Sequence, residues 1–455
     1  MAPISDNWPD VAASLEIMDP EYAARVTSMV SFLTPYFHHI EAYATSLHPH
    51  HLPCRLITNN YTWGQSFAVF EIFFTDATSW IIRFGMSPMD AYFNTAEQLE
   101  RKILNEVAAL HLVRQRTTIP VPEIISFHPI QSPHNPLGPQ FPAFVLMTAI
   151  TGITIEDCGI AIHDLGKGDG DPLQGDESKR PILQQYLRDI ADLHVQLSRI
   201  TFDRIGSFVI DTDGQVSVGP GADFGLGPFA SAKEYFAIQA EAYEKLAMAA
   251  GIEDDEGDDA GGGADAAQLK RRFVASLWRT AMMPLLDERD DQGPFPMRHG
   301  DLHSENILVD ETGHIVGVLD WDCAATVPWE AFAVPTFEVS GHFRDCDTDA
   351  RTGVETKILR QERPVVHNAF NRELAAVEAQ DVGSKPASGR TLAALHDSDA
   401  GHVGAYLAYW MYSLACDYEE TGRALHRMLG SGDDIDQSFQ KFVREVEAST
   451  SREIN

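Results

Sequence analysis

Two short apolar runs joined by a polar turn constrain this chain more than any other feature. Ile307, Leu308 and Val309 lead into Asp310-Glu311-Thr312-Gly313, and Ile315, Val316, Val318 and Leu319 follow. Runs this short and rich in β-branched residues pair as a hairpin when a glycine-bearing turn joins them. A hairpin returns the chain to its starting point. Asp301 and Asn306, ahead of the first strand, are therefore expected near Asp320, just after the second.

Two carboxylates and an amide gathered in one place suit phosphoryl transfer. One carboxylate orients an acceptor hydroxyl and takes its proton. The other, with the amide oxygen, holds Mg²⁺, a hard cation that prefers oxygen ligands and bridges nucleotide phosphates. The same segment admits a different chemistry. His299, Asp301 and His303 alternate, and on a strand they would share one face and could ligate zinc as in a metal hydrolase. That arrangement leaves Asn306 and Asp320 without a role.

Composition narrows the partners. Lys and Arg number 34 against 67 Asp and Glu, a net charge of −33. Such a surface disfavours a nucleic-acid backbone or an anionic membrane as partner and suits small neutral or cationic molecules. The five cysteines, Cys54, Cys158, Cys323, Cys346 and Cys416, form no CxxC pair and suggest neither a disulfide framework nor a zinc site. The opening MAPISDNWPD has no basic region followed by an apolar one, and the uncharged stretch PAFVLMTAITGITI is too short for a membrane span. A cytoplasmic location is expected.

Residues 1–54 read as a helical extension. Residues 55–149 hold strand-like runs (SFAVFEIFF, a turn at Thr75–Thr78, SWIIRFG, PAFVLMTAI) around one amphipathic helix, TAEQLERKILNEVAALHLVRQ, with Leu99, Ile103, Val107 and Leu110 on one face. Residues 150–455 are mainly helical, as in RPILQQYLRDIADLHVQLSRI, where His194 is expected at a helix–helix contact. An acidic run at about 251–268 reads as a solvated, mobile insert rather than a calcium loop. The run HVGAYLAYWMYSLACDYEETG carries Tyr406, Tyr409, Trp410 and Tyr412, an aromatic stripe that reads first as core and second as an acceptor pocket.

At this point the chain resembles a known family. HGDLHSEN fits the HGDxxxxN catalytic loop of the aminoglycoside phosphotransferase-like (choline kinase-related) enzymes, and LDWD fits their metal-binding Asp motif. RLITNNYTWGQSFAVFEIFF with WIIRFG, ILNEVAAL with TTIPVPEII, and FVLMTAITG are similar to their nucleotide-lobe strands, lobe helix and hinge. FDRIGSF and VPWEAFAVP are similar to segments of the fungal branch. The resemblance implies an α+β, two-lobed protein kinase-like fold, with a small antiparallel-sheet N-lobe and a larger, mainly helical C-lobe. It implies ATP and Mg²⁺ as cofactors and a small-molecule hydroxyl as acceptor.

Residue by residue, the resemblance makes Asp301 the catalytic base, with His299 supporting it. It makes Asn306 and Asp320 the Mg²⁺ ligands, with Asp322 reaching a second ion. Arg83 takes the phosphate-orienting position, with Glu106 as its ion-pair partner and Glu100 as the alternative. Asn60–Phe67, with Gly64 and Ser66, takes the place of the phosphate-covering loop, and Met147 sits at the hinge. A loop with a single glycine offers fewer backbone N–H groups to phosphates, and an Arg for the usual Lys grips them differently. These two departures motivate an alternative, a catalytically weak pseudokinase serving as a binding scaffold.

Overall fold

The computed structural model describes residues 2–86, 95–162, 176–211, 213–222, 224–249, 264–340, 364–380, 385–401, 403–404, 422–429 and 434–453. The chain mixes helices with antiparallel sheets and divides into two compact units. The first comprises Met1–Cys158, Gly206–Leu226 and Glu305–Ala324, and the second comprises Gly159–Ile205, Gly227–Ser304 and Ala325–Asn455.

In the first unit, helices α1 (Val11–Glu16), α2 (Pro20–Leu33) and α3 (Phe37–Leu47) precede a six-stranded sheet. Its strands are β1 (Cys54–Leu56), β2 (Thr62–Trp63), β3 (Phe67–Phe74), β4 (Ser79–Gly85), β5 (Ile124–His128) and β6 (Phe144–Thr148), with helix α4 (Ala96–Arg116) between β4 and β5. The strands lie in the order β1-β3-β4-β6-β5, with β2 also on β3, and every pairing is antiparallel.

Period-two alternation gives the sheet two apolar faces. Phe70, Ile72, Phe74, Ile82, Phe84, Phe144 and Leu146 pack with Val26, Leu33, Ile40 and Ala44 of α2 and α3. The opposite parity, Phe67, Val145 and Met147, packs with Leu99 and Ile103 of α4. Arg83 shares the parity of Ile81, so β4 delivers it to the α4 face. The capping box of α4 is complete: Gln98 N–H donates to Thr95 Oγ1 at 3.3 Å, and Thr95 N–H donates to Gln98 Oε1 at 2.9 Å. The helix stops at Arg116, ahead of the Ile119-Pro120-Val121-Pro122 stretch, whose prolines cannot continue it.

The expected hairpin forms, with Ile307 opposite Val318, Leu308 opposite Gly317 and Val309 opposite Ile315. Ile307, Val309 and Val318 are fully buried. Asp310 closes the turn, its carboxylate accepting from Thr312 N–H at 2.8 Å and His314 N–H at 3.1 Å. Both edges of the hairpin are tied down. Val309 and Ile153 exchange backbone bonds of 2.7 and 3.0 Å, and Val318 N–H donates to Pro120 O at 2.9 Å. The return strand ends at Val318 rather than including Leu319, whose amide turns to Asn306 O at 2.9 Å.

The second unit is mainly helical where described. Helix Arg180–Ser198 lies against helix Pro364–Gln380, and strands Thr201–Phe202, Phe295–Arg298 and Ala325–Thr326 pair antiparallel beside it. Its core holds Tyr186, Trp278, Trp329 and Phe332. His194 is buried there, its ring stacked on Phe332 at 4.1 Å between centroids, a packing residue as its helical position implies. The acidic run up to residue 263 and the aromatic residues Tyr406, Tyr409, Trp410 and Tyr412 lie outside the described residues. Among the described residues, no helix is long and apolar enough to cross a membrane.

Candidate active site

The exit of the hairpin carries the first group. Asp320 adopts the left-handed conformation (φ 63°, ψ 64°) and starts a short 3₁₀ turn, Trp321–Cys323. Asp tolerates this backbone better than most residues, yet it still costs on the order of 1 kcal/mol and is held only where surroundings dictate it. The fully buried Trp321 supplies that constraint, its indole N–H donating to Val318 O at 3.0 Å. The turn aims Asp320 toward Arg83 of β4 and Asp322 toward Lys102 of α4. Because Leu319 N–H meets Asn306 O, the two ends of the hairpin bring Asn306 beside Asp320.

Arg83 joins this turn to α4. Its Nη1 lies 2.6 Å from Glu106 Oε1 and its Nη2 lies 2.8 Å from Asp320 Oδ1. Its guanidinium lies 4.2 Å from the Phe67 ring centroid, a cation–π contact that fixes its plane. Glu106, rather than Glu100, is therefore the ion-pair partner.

Charge within the cluster does not balance. Burial, together with the neighbouring Asp320 charge, pushes Asp322 up to about 6, with Lys102 and Arg83 pulling the other way. Burial likewise raises Glu106 to about 7 against the pull of Arg83, and its second oxygen is buried with no hydrogen-bond partner among the described residues. Burial works against the Arg83 charge, but Glu106, Asp320 and Asp322 outweigh it and raise the guanidinium above its ordinary value. Two cations, Arg83 and Lys102, face three carboxylates, Glu106, Asp320 and Asp322, leaving 2 − 3 = −1 when all are charged.

Two residues of α4 escaped sequence reasoning. Lys102 Nζ lies 3.9 Å from Asp322 Oδ2. Asn105 is fully buried and clamps the turn: its amide N donates to the carbonyls of Asp322 (2.9 Å) and Ala324 (2.8 Å), and its Oδ1 accepts from Phe208 N–H (2.6 Å). The available signal was the spacing 102, 105, 106, which puts all three on one helix face.

The remaining expected nucleotide contacts differ in character. Gly64 is exposed, and a side chain there would meet nothing within 4 Å. Ser66 is buried, with its carbonyl accepting from Met86 N–H at 2.9 Å. Met147 is 5% exposed and packs against the α4 cluster. Trp63 packs beside Tyr61 on the opposite side of the sheet.

In the second unit, the loop after strand Phe295–Arg298 carries Asp301. The strand ends at Arg298 and Gly300 has φ +94°, so residues 299–303 do not continue it. The alternation that would have put His299, Asp301 and His303 on one face of a strand therefore does not exist, which removes the geometric basis of the zinc arrangement. Buried His299 accepts from Asp301 N–H through Nδ1 at 3.3 Å, a scaffolding contact. His303 Nε2 stands 3.8 Å from Asp301 Oδ2, and buried Glu338 anchors the loop's far end by accepting from Ser304 N–H at 2.9 Å.

The donor set fits a hard divalent cation. Asn306, Asp320 and Asp322 offer only oxygen, and the surplus negative charge would be offset by a cation. Among the described residues, no three His, Cys, Asp or Glu side chains form a ready-made metal site.

Several solved structures are similar to this chain. The chain is similar to a macrolide 2′-phosphotransferase, MphH, from Brachybacterium faecium (14% identity, 88% of this chain and 99% of that one, TM-score 0.41). It is also similar to an aminoglycoside 2′-phosphotransferase of type IIIa in its GDP complex (13%, 91% and 98%, TM-score 0.39). A third is an aminoglycoside phosphotransferase from Alicyclobacillus acidocaldarius (12%, 86% and 92%, TM-score 0.31). No curated protein matches the sequence. A model of the phosphotransferase enzyme family, APH, matches residues 59–329. That span takes in the loop before β3, Arg83, Glu106, the Asp301 loop, the hairpin and its exit turn, and it exceeds half of the 455 residues. The chain belongs to the phosphotransferase enzyme family.

Proposed function

We propose that this protein transfers the γ-phosphoryl group of ATP to a hydroxyl of a small molecule in the cytoplasm, and that it belongs to the fungal, choline kinase-related branch of its family. The observation that carries the reading is Arg83, bridging Glu106 and Asp320 at 2.6 and 2.8 Å. A cation held between a helix carboxylate and a turn carboxylate is an orienting device for phosphates and the ion that accompanies them.

The roles follow from the chemistry of each group. Asn306, Asp320 and Asp322 would hold Mg²⁺, which when bound neutralises charge on the nucleotide phosphates. Arg83, its fork held between Glu106 and Asp320, presents its positive charge to those phosphates and keeps Asp320 in position. The loop Asn60–Phe67 covers them with backbone N–H groups and Ser66, and Met147 borders the base. Asp301 accepts the hydroxyl proton as the acceptor oxygen bonds to the γ-phosphorus and the bond to the β-bridging oxygen breaks, releasing ADP. His299 holds the backbone of Asp301 in place, so its part is support. Arg at position 83, where other branches carry Lys, supports the fungal assignment.

The test is phosphate transfer from γ-labelled ATP to small-molecule fractions of a cell extract, with mass spectrometry of the labelled product. Asp301→Asn should lose about 10³-fold or more in transfer while binding Mg–ATP as the parent does. Undiminished turnover in that variant would overturn the assignment of the base.

A further inference from the structure

We infer that helix α2 braces the phosphate-covering loop from outside the active site, with Tyr22 and Arg25 as positioning residues for nucleotide binding. The inference rests on the phosphotransfer reading for the loop's role, but its structural half stands apart from that reading.

The loop between β2 and β3 holds one glycine, and its turn is closed by Gly64 N–H donating to Phe67 O at 3.0 Å, which leaves the carbonyls of Gly64 and Gln65 to be held from outside the turn. Two side chains one helical turn apart supply this. Tyr22 Oη donates to Gly64 O at 2.5 Å, and Arg25 Nη1 donates to Gln65 O at 2.9 Å. The guanidinium of Arg25 also lies 5.7 Å from the Tyr22 ring centroid, so the pair supports itself. Consecutive carbonyls at the loop's apex are thus drawn toward α2. Because each peptide unit is planar, fixing these two carbonyls also fixes the planes of the peptides that carry the N–H groups of Gln65 and Ser66.

The brace is itself anchored. Asn60 at the loop's base donates to Ser5 O. The amides of Ile4 and Ser5 donate to the carboxylate of Glu71 at 3.0 and 2.8 Å, and Ser79 Oγ donates to it as well. Glu71 is fully buried in β3, and a buried carboxylate is held only where donors compensate it. The chain's first residues are therefore fastened to the middle of the sheet, and α2 to the sheet's outer face through Val26 and Leu33. Next to the loop's entry, Ile17, Met18, Tyr22, Tyr61 and Trp63 line an open pocket of about 370 Å³. The ordering of the loop is met on folding rather than at the moment of nucleotide binding, which favours affinity.

The test compares the parent with Tyr22→Phe/Arg25→Gln, using a non-hydrolysable ATP analogue with Mg²⁺ for affinity and amide hydrogen exchange of the nucleotide-free chains. Losing two hydrogen bonds should weaken nucleotide binding roughly 5- to 30-fold. The KM for ATP should rise in step while kcat stays within about twofold, and exchange at Gly64–Ser66 should accelerate. Arg25→Lys, which keeps a donor, should recover part of the affinity. A purely structural role would lower the melting temperature and leave affinity and KM alone. Unchanged exchange at the loop, or faster exchange with unchanged affinity, overturns the proposal. Should the parent bind no Mg–nucleotide, the phosphotransfer reading fails, and exchange at the loop then decides the brace by itself.

Discussion

Arg83 Nη2 stands 2.8 Å from Asp320 Oδ1 while its Nη1 stands 2.6 Å from Glu106 Oε1, so one side chain occupies two carboxylates on different elements. Lysine has no fork and can satisfy one of them at a time. Arg83→Lys should therefore cost roughly one charge-assisted hydrogen bond, on the order of 2 kcal/mol, and should raise the KM for ATP. Arg83→Met should be more severe, on the order of 3–5 kcal/mol, because it strands Glu106, which is 1% exposed. Adding Glu106→Gln to Arg83→Met should recover much of that stability without restoring activity. Urea unfolding of the four proteins checks this, and equal losses in the single and double variants would contradict it.

Asn105, fully buried, fastens α4 to the turn that bears Asp322 through two hydrogen bonds of 2.8 and 2.9 Å and to Phe208 through a third of 2.6 Å. Asn105→Leu removes three buried hydrogen bonds, to two carbonyls and one amide, at about 1 kcal/mol or more each. A total loss of roughly 3 kcal/mol or more is expected, with part of the protein failing to fold. Asn105→Asp is the sharper probe: it keeps the volume and the acceptor but turns a donor toward two carbonyls into an acceptor. It should be destabilised despite being nearly isosteric. A melting temperature equal to the parent's would show that the clamp contributes nothing.

Much of this arrangement could be read from the chain because it depends on local pattern. The hairpin 307–318 follows from apolar runs around a turn, α4 from its apolar face of Leu99, Ile103, Val107 and Leu110, and the position of Arg83 from its place in the strand-like run SWIIRFG. What escaped depends on contacts distant in sequence. Asn105 looks like a poor helix residue until its partners at Phe208, Asp322 and Ala324 are known, and no spacing rule supplies them. The grip of Tyr22 and Arg25 on the loop is of the same kind, since the helix was legible and the docking was not. The zinc geometry failed for a local reason: alternation was counted through Gly300, where a φ of +94° ends the strand.

Gly152 has no room for a side chain. A Cβ there would lie 2.8 Å from Leu308 Cβ, 2.8 Å from Val316 Cγ2 and 3.2 Å from Val309 O. The first and third of these cannot withdraw without moving the hairpin backbone. Gly152→Ala should thus destabilise by roughly 1–3 kcal/mol and displace the strands that carry Asn306 and Asp320. Reduced affinity for Mg–nucleotide should accompany the lower stability. If Gly152→Ala bound nucleotide and melted as the parent does, the hairpin would be more tolerant than its packing implies.

His194 offers a pH readout of the second unit. Burial, with Arg298 adding to it, lowers this imidazole to about 3, while in the unfolded chain it returns to about 6.5. Below 6.5 the unfolded chain takes up a proton that the folded chain refuses. The stability tied to neutral His194 is therefore complete above pH 6.5 and is lost as pH falls toward 3, by about 1.4 kcal/mol per pH unit within that window. His194→Phe keeps a flat ring against Phe332, at 4.1 Å in the parent, and removes the titration. Its stability should decline less steeply than the parent's between pH 6.5 and 4, the common decline from the many carboxylates cancelling in the difference. Parallel curves for the two proteins would mean that His194 is protonated in the folded state or reaches solvent.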